Sequence, residues 1–164
     1  MEKTMAKKEE KTNVCRVLDS KKCTYEFRRF DTDETNGVEL AKLLGQEPSR
    51  VFKTLVTVGK TKEHYVFVIP VANELDLKKA AKVVNEKSIE MIPQKELLPL
   101  TGYIHGGCSP IGMKKFFKTT IHETAKDFDT IFFSAGKIGC QIETSIGELA
   151  KVIRYELADI VCEK

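Results

Sequence analysis

Apolar positions along this chain alternate between a helical period near 3.6 and a strand period near 2, in no fixed order. Val14, Val17 and Leu18 recur at helical spacing, which predicts a short amphipathic helix within Lys7–Lys21. CTYEFRRF then reads as a strand with Tyr25 and Phe27 on one face. After the turn residues DTDETNG, Asn36 and Glu39 resemble a capping box, and Gly45 suits the end of the helix they open. VFKTLVTVGKTKEHYVFVIPV holds two β-branched and aromatic runs around a Gly-Lys-Thr-Lys turn, the pattern of a β-hairpin. Asp76 can cap LKKAAKVV, whose Leu77, Ala80, Ala81 and Val84 share a face. SIEMI reads as a short strand, and Pro93 opens a turn of helix. GYIHGG, KTTIHE, TIFFSAG and GCQIETS read as strands. Ser145 and Glu148 make a second capping box before IGELAKVI, and YELADIV reads as a short helix or turn.

Strands are numerous and helices interrupt them irregularly, with no strict βαβ alternation, no internal repeat and no linker. That predicts the α+β class: one compact domain over residues 1–164, with a mixed, barrel-like sheet, surrounding helices and a frayed first dozen residues. A chain of 164 residues matches one domain and can bury a sizeable core without staples.

Composition narrows the chemistry. With 41% hydrophobic and 31% charged residues the chain reads as soluble and globular. A net charge of +3 does not demand a nucleic-acid partner, but is compatible with one if lysines cluster. Three clusters exist, Lys3–Lys7–Lys8–Lys11, Lys78–Lys79–Lys82 and Lys114–Lys115–Lys118, and each is a solvated face by default. Beside a phosphate-binding loop, the last would meet a polyanion's backbone. The five cysteines, at positions 15, 23, 108, 140 and 162, have no C-x-x-C spacing, and the three histidines complete no zinc pattern. The expectation is reduced thiols in a cytoplasmic protein, without metal or cofactor. The N-terminus lacks a signal-peptide core, and no apolar run approaches the roughly 18 residues of a membrane span.

The densest cluster of special residues is GGCSPIGMKK, Gly106–Lys115. It is not a Walker loop: Gly107 and Gly112 have that spacing, but Met113 stands where the lysine belongs and Pro110 removes a backbone N–H. It is either a plain connection or a glycine bend whose free amides can hold an oxyanion or carbonyl oxygen. Cys108 is either a small buried hydrophobe or a nucleophile needing a base such as His105. Lys53, inside a β-branched run, is either an edge charge that blocks aggregation or a cation at a pocket rim. SAGKIG, Ser134–Gly139, is by itself a hairpin turn.

Together, VFKTLV, TGYIHGGCSPIGMKK, FFSAGKIGCQIE and LAKV are similar in order and spacing to the YbaK group of aminoacyl-tRNA deacylases, which is related to the editing insertion domain of bacterial prolyl-tRNA synthetases. The resemblance runs from about Val14 to the C-terminus. It implies a compact α+β domain that removes cysteine from Cys-tRNA(Pro) and Cys-tRNA(Cys), with aminoacyl-tRNA as partner and prolyl-tRNA synthetase as a possible second one. Lys53 would engage the acceptor end and the aminoacyl group. Gly106 would open the G-x-x-x-P loop that orients the ester carbonyl, with Gly107, Ser109 and Pro110 completing that wall. Thr54 and Ser134 would be polar pocket positions. The protein would supply no nucleophile, since the substrate's own thiol attacks its ester and leaves as a cyclic thiolactone. Two positions depart from the pattern: Phe30 stands where many relatives carry a tyrosine, and Gln141 where they carry an aspartate. Three other readings remain open: a deacylase for another small amino acid such as alanine, a non-catalytic tRNA- or synthetase-binding module, and a Cys108 thiol hydrolase.

Overall fold

The Thr12 hydroxyl accepts a hydrogen bond from the Cys15 N–H at 3.4 Å, which fixes the start of helix α1, Asn13–Ser20. The computed structural model describes residues 11–163, so the part of the predicted first helix and frayed terminus that precedes Lys11 lies outside the described residues. Strand β1, Glu26–Arg29, follows. Helix α2, Gly37–Leu43, starts where the Asn36 side chain accepts from the Glu39 N–H at 3.1 Å. It ends at Gly45, whose φ of +68° supplies the left-handed turn of a helix C-terminus. A 3₁₀ turn, Pro48–Arg50, leads into strands β2, Phe52–Gly59, and β3, His64–Pro70. The expected hairpin is present, paired antiparallel from Phe52 opposite Pro70 to Val58 opposite His64. Asp76 caps helix α3, Leu77–Val84, by accepting from the N–H groups of Lys78 and Lys79. Strand β4, Ile89–Met91, and the short helix α4, Leu97–Thr101, complete the first half.

After a long loop come β5, Lys118–His122; β6, Ile131–Ser134; β7, Cys140–Thr144; helix α5, Ile146–Leu149, capped by Ser145; and β8, Tyr155–Ala158. Two of these differ from the sequence expectation. GYIHGG forms no strand, because Gly102 and Gly106 both take left-handed φ, +91° and +87°, which bends the chain instead of extending it. YELADIV is not a helix. Its Tyr155–Ala158 portion pairs in parallel with β5, Thr119 opposite Tyr155.

The strands form two sheets: β1-β7-β6, all antiparallel, and β4-β2-β3-β5-β8, antiparallel to β3 and parallel beyond it. The sheet is therefore mixed, but no barrel closes. The two sheets touch through one isolated parallel bridge between Val51 and Phe132. The main core lies between them, with Phe52, Val56, Val66, Val68 and Ile121 facing Ile131, Phe133 and Ile142. A second core packs α3 onto the other face of the larger sheet through Phe67, Ile69, Ala80, Ala81 and Val84. This is the α+β arrangement the element pattern called for, in one domain. Among the described residues no helix is long and apolar enough to cross a membrane.

Candidate active site

Strand β2 is longer than its neighbour β4. The two pair only from Thr57 to Gly59, so the Phe52–Leu55 end of β2 has β3 on one side and no strand partner on the other. Val51 is bridged to Phe132 of β6, but the residues that follow on the two strands do not pair. A cavity of about 170 Å³ lies at this split. Its walls are Val51 and the Phe52–Leu55 end of β2, Phe133 and Ser134 of β6, the Glu34–Leu40 region, the bend at His105, Gly106 and Cys108, Lys137 and Gly139 of the second glycine turn, and Cys140 and Gln141 of β7.

Lys53 lines this cavity and is half-buried. Among the described residues its ammonium has no hydrogen bond or ion pair, and burial lowers its pKa below that of an ordinary lysine, with the distant Glu74 carboxylate opposing weakly. An aggregation-blocking edge charge would stand in water, so its partly dry position favours the pocket-rim reading. Thr54 lies on the opposite face of β2 and also lines the cavity, and its hydroxyl oxygen is buried without a partner among the described residues. Unsatisfied buried hydroxyls are uncommon in native proteins, because each costs about 1–3 kcal/mol.

The two glycine turns meet at the cavity. A Cβ on Gly107 would lie 3.2 Å from the Ile138 nitrogen and the Lys137 Cα, so the first turn rests on the backbone of the second. A Cβ on Gly106 would lie 2.7 Å from the Thr35 side chain, at a φ that already disfavours any other residue. Gly139, at φ +86°, accepts a 2.6 Å hydrogen bond from the Phe30 N–H and so draws the end of β1 into the wall. Gly106 and Cys108 line the cavity, and neither of their backbone N–H groups is hydrogen-bonded within the described residues. Gly107, Ser109 and Pro110 do not line it. The Gly107 N–H bonds back to the Ile104 carbonyl, Ser109 is fully buried with its hydroxyl accepting from the Ile111 N–H, and Pro110 faces a separate surface hollow with Phe116 and Phe117. The Tyr103 hydroxyl donates to the Ile111 carbonyl at 2.5 Å and braces the loop from behind.

Ser134 lines the cavity while accepting from the Gly136 N–H at 3.0 Å. Phe30 and Gln141 line it as well. The Cys108 thiol is buried, and burial pushes its pKa up to about 12. No hydrogen bond joins it to His105. A thiol held that far above neutral pH, without a base, is a poor nucleophile. Among the described residues no group of three His, Cys, Asp or Glu side chains could hold a metal ion.

Residues 34–152 match the family model of the aminoacyl-tRNA editing domain. The chain belongs to this family. It is 43% identical, over 98% of its length and 100% of the relative's, to the Enterococcus faecalis protein named "Putative Cys-tRNA(Pro)/Cys-tRNA(Cys) deacylase EbsC". Among solved structures, the hypothetical protein APE2540 superposes with a TM-score of 0.85 at 20% identity, over 92% of this chain and 100% of its own. A "putative trans-editing enzyme for prolyl tRNA synthetase" superposes at 0.81 and 22% identity, over 93% and 99%. At that identity the two structures establish the fold of an editing domain.

Within this editing domain the structure brings together Lys53, Thr54, Gly106, Ser134, Gln141 and Phe30, from five separate stretches of chain. Among the residues it adds are the polar side chains of Glu34, Thr35, His105 and Lys137, which the sequence left outside the site. Lys137 had a signal, since it sits between the glycines of the second turn. Glu34 had none, because it reads as one polar residue among several before a helix.

Proposed function

We propose that this cavity deacylates aminoacyl-tRNA carrying a small thiol amino acid, with Cys-tRNA(Pro) and Cys-tRNA(Cys) as substrates. The observation that supports it most is that Lys53 and the unpaired amides of Gly106 and Cys108 line one small cavity that offers no activated nucleophile of its own. In this reading the substrate's sulfur attacks its own ester carbonyl. The new S–C bond forms as the ester C–O bond to the ribose breaks. The thiol proton ends on the departing ribose hydroxyl, and a cyclic thiolactone leaves. Such a reaction needs only orientation and stabilisation of developing negative charge. The amides at Gly106 and Cys108 would take the carbonyl oxygen. Lys53 would hold the acceptor end and oppose the same charge, and Thr54 and Ser134 would donate hydroxyl hydrogen bonds. A cavity of about 170 Å³ suits an aminoacyl group and excludes bulky side chains.

Cytoplasmic location and cooperation with prolyl-tRNA synthetase belong to the same reading. The net charge of +3 makes tight unaided tRNA binding unexpected, so a synthetase complex would supply tRNA selectivity. The test is deacylation of Cys-, Ala- and Ser-tRNA(Pro) by the native protein and by Lys53→Ala and Cys108→Ala. Cysteine should be removed fastest, with thiolactone detected by trapping, and serine slowest because its hydroxyl is a much weaker nucleophile. Activity lost with Cys108→Ala but kept with Lys53→Ala would overturn the mechanism.

A further inference from the structure

Gln141 lines the cavity wall, but its amide is committed to another side chain. Its Nε2 donates to the Gln46 Oε1 at 2.9 Å, and the Gln46 Nε2 donates back to the Gln141 Oε1 at 2.8 Å. This reciprocal amide pair is 95 residues apart in sequence and almost buried on the Gln141 side, at 5% exposure. The left-handed Gly45 makes it possible by turning the chain out of α2 so that Gln46 reaches β7. The pair is neutral and satisfies half of each amide's hydrogen-bonding capacity internally. It closes the wall and leaves no negative charge there.

The ionisable side chains that line the cavity are Lys53, Lys137, His105, the thiols of Cys108 and Cys140, and one carboxyl group, Glu34. An aminoacyl ester brings an α-ammonium into this space. Against two lysines, Glu34 is the carboxylate among the lining side chains that can compensate it. The carboxylate is also held in place. Its Oε2 accepts a 3.0 Å hydrogen bond from the Asn36 N–H, the reciprocal half of the capping arrangement that Glu39 does not make. Its backbone N–H is tied to the Thr32 hydroxyl at 3.0 Å. Glu34 is half-buried and forms no ion pair among the described residues, so its second oxygen remains available.

We infer that Glu34 is the substrate-amine acceptor of this site and that the Gln46–Gln141 pair keeps the adjoining wall neutral. This rests on the aminoacyl-tRNA reading above. Lys53 and the amide bend hold the ester end and Glu34 holds the ammonium, so the thiol's reach to the carbonyl is fixed at both ends. The side chain selects for a free amine and therefore against acylated amino ends.

The test compares Cys-tRNA(Pro) with 3-mercaptopropionyl-tRNA(Pro), which keeps the ester and the thiol and lacks only the amine. Each rate is divided by its own uncatalysed rate. The native protein should favour the amine-bearing substrate in kcat/KM by about tenfold, the scale of one charge-assisted hydrogen bond. Glu34→Gln should remove that preference, read as the ratio of the two normalised kcat/KM values within the same variant. Equal rates on both substrates with the native protein would overturn the inference, and that arm needs no variant to fold. A preference surviving in Glu34→Gln would also overturn it. A native protein that deacylates neither ester defeats the functional reading itself, a different outcome from equal activity on both.

Discussion

The two ends of strand β2 differ in what surrounds them, and the difference separates structure from function. At the Thr57 end β2 lies between β3 and β4, and the Thr57 hydroxyl, fully buried, donates to the Tyr65 carbonyl at 2.9 Å. At the Lys53 end β4 has stopped, β6 has parted, and both polar groups, the Thr54 hydroxyl and the Lys53 ammonium, are left without partners among the described residues. The same strand therefore carries one threonine whose hydroxyl the fold pairs and one whose hydroxyl is buried without a partner among the described residues. Buried polar groups are almost always paired, so the unpaired end is where binding is to be sought.

The largest break in this contrast should come from Lys53→Ala, with deacylation down by about 10²–10³-fold, the loss seen when one group opposing transition-state charge is removed. Stability should not fall with it. Burial makes the folded protein hold the Lys53 proton less tightly than the unfolded chain does, so the charged side chain costs stability at neutral pH. That cost fades as pH rises through the lowered folded value toward the ordinary one. A thermal melt of Lys53→Ala at pH 7 should show a Tm no lower than the native protein's. Measured against pH, the rate should fall on the alkaline side before the ordinary lysine value of 10.5 is reached. Lys53→Arg should shift that limb upward, because a guanidinium keeps its proton.

Gly106→Ala should cost about 1–3 kcal/mol by denaturant titration, from the left-handed φ and the crowding against Thr35. Its activity should fall as well, because the amide bend must shift. Thr54→Val should lower kcat/KM by about tenfold, one hydrogen bond's worth, and leave the Tm unchanged or higher, since no internal bond is lost. Thr57→Val should show the opposite pattern. It should cost about 1 kcal/mol for the lost hydroxyl bond, and so roughly 2–4 °C of Tm, with kcat/KM of the folded protein unchanged. Matching behaviour of the two threonine variants would erase the contrast.

Much of this was legible in the chain. The β2–β3 hairpin, the Asp76 cap and the two glycine turns follow from local chemistry, because β-branching, capping side chains and glycine act within a few residues. Legibility failed where the local signal was even. GYIHGG has strand composition, but its flanking glycines bend it, and Tyr155–Ala158 became a strand only because β5 offered an edge to pair with. Ser109 and Pro110 looked like site residues by their company, yet they support the loop from outside the cavity.

By itself the sequence determined the α+β class, the lysine in a strand and the two glycine bends, since each is set by residues close together in the chain. Only the tertiary structure decided that β4 ends short of Lys53, that Gln46 occupies Gln141, and that Glu34 lines the same cavity as Lys53 and Lys137. Those facts depend on segments far apart in the chain meeting in space, Gln46 and Gln141 being separated by 95 residues. No short-range pattern can encode which polar groups a fold leaves unpaired.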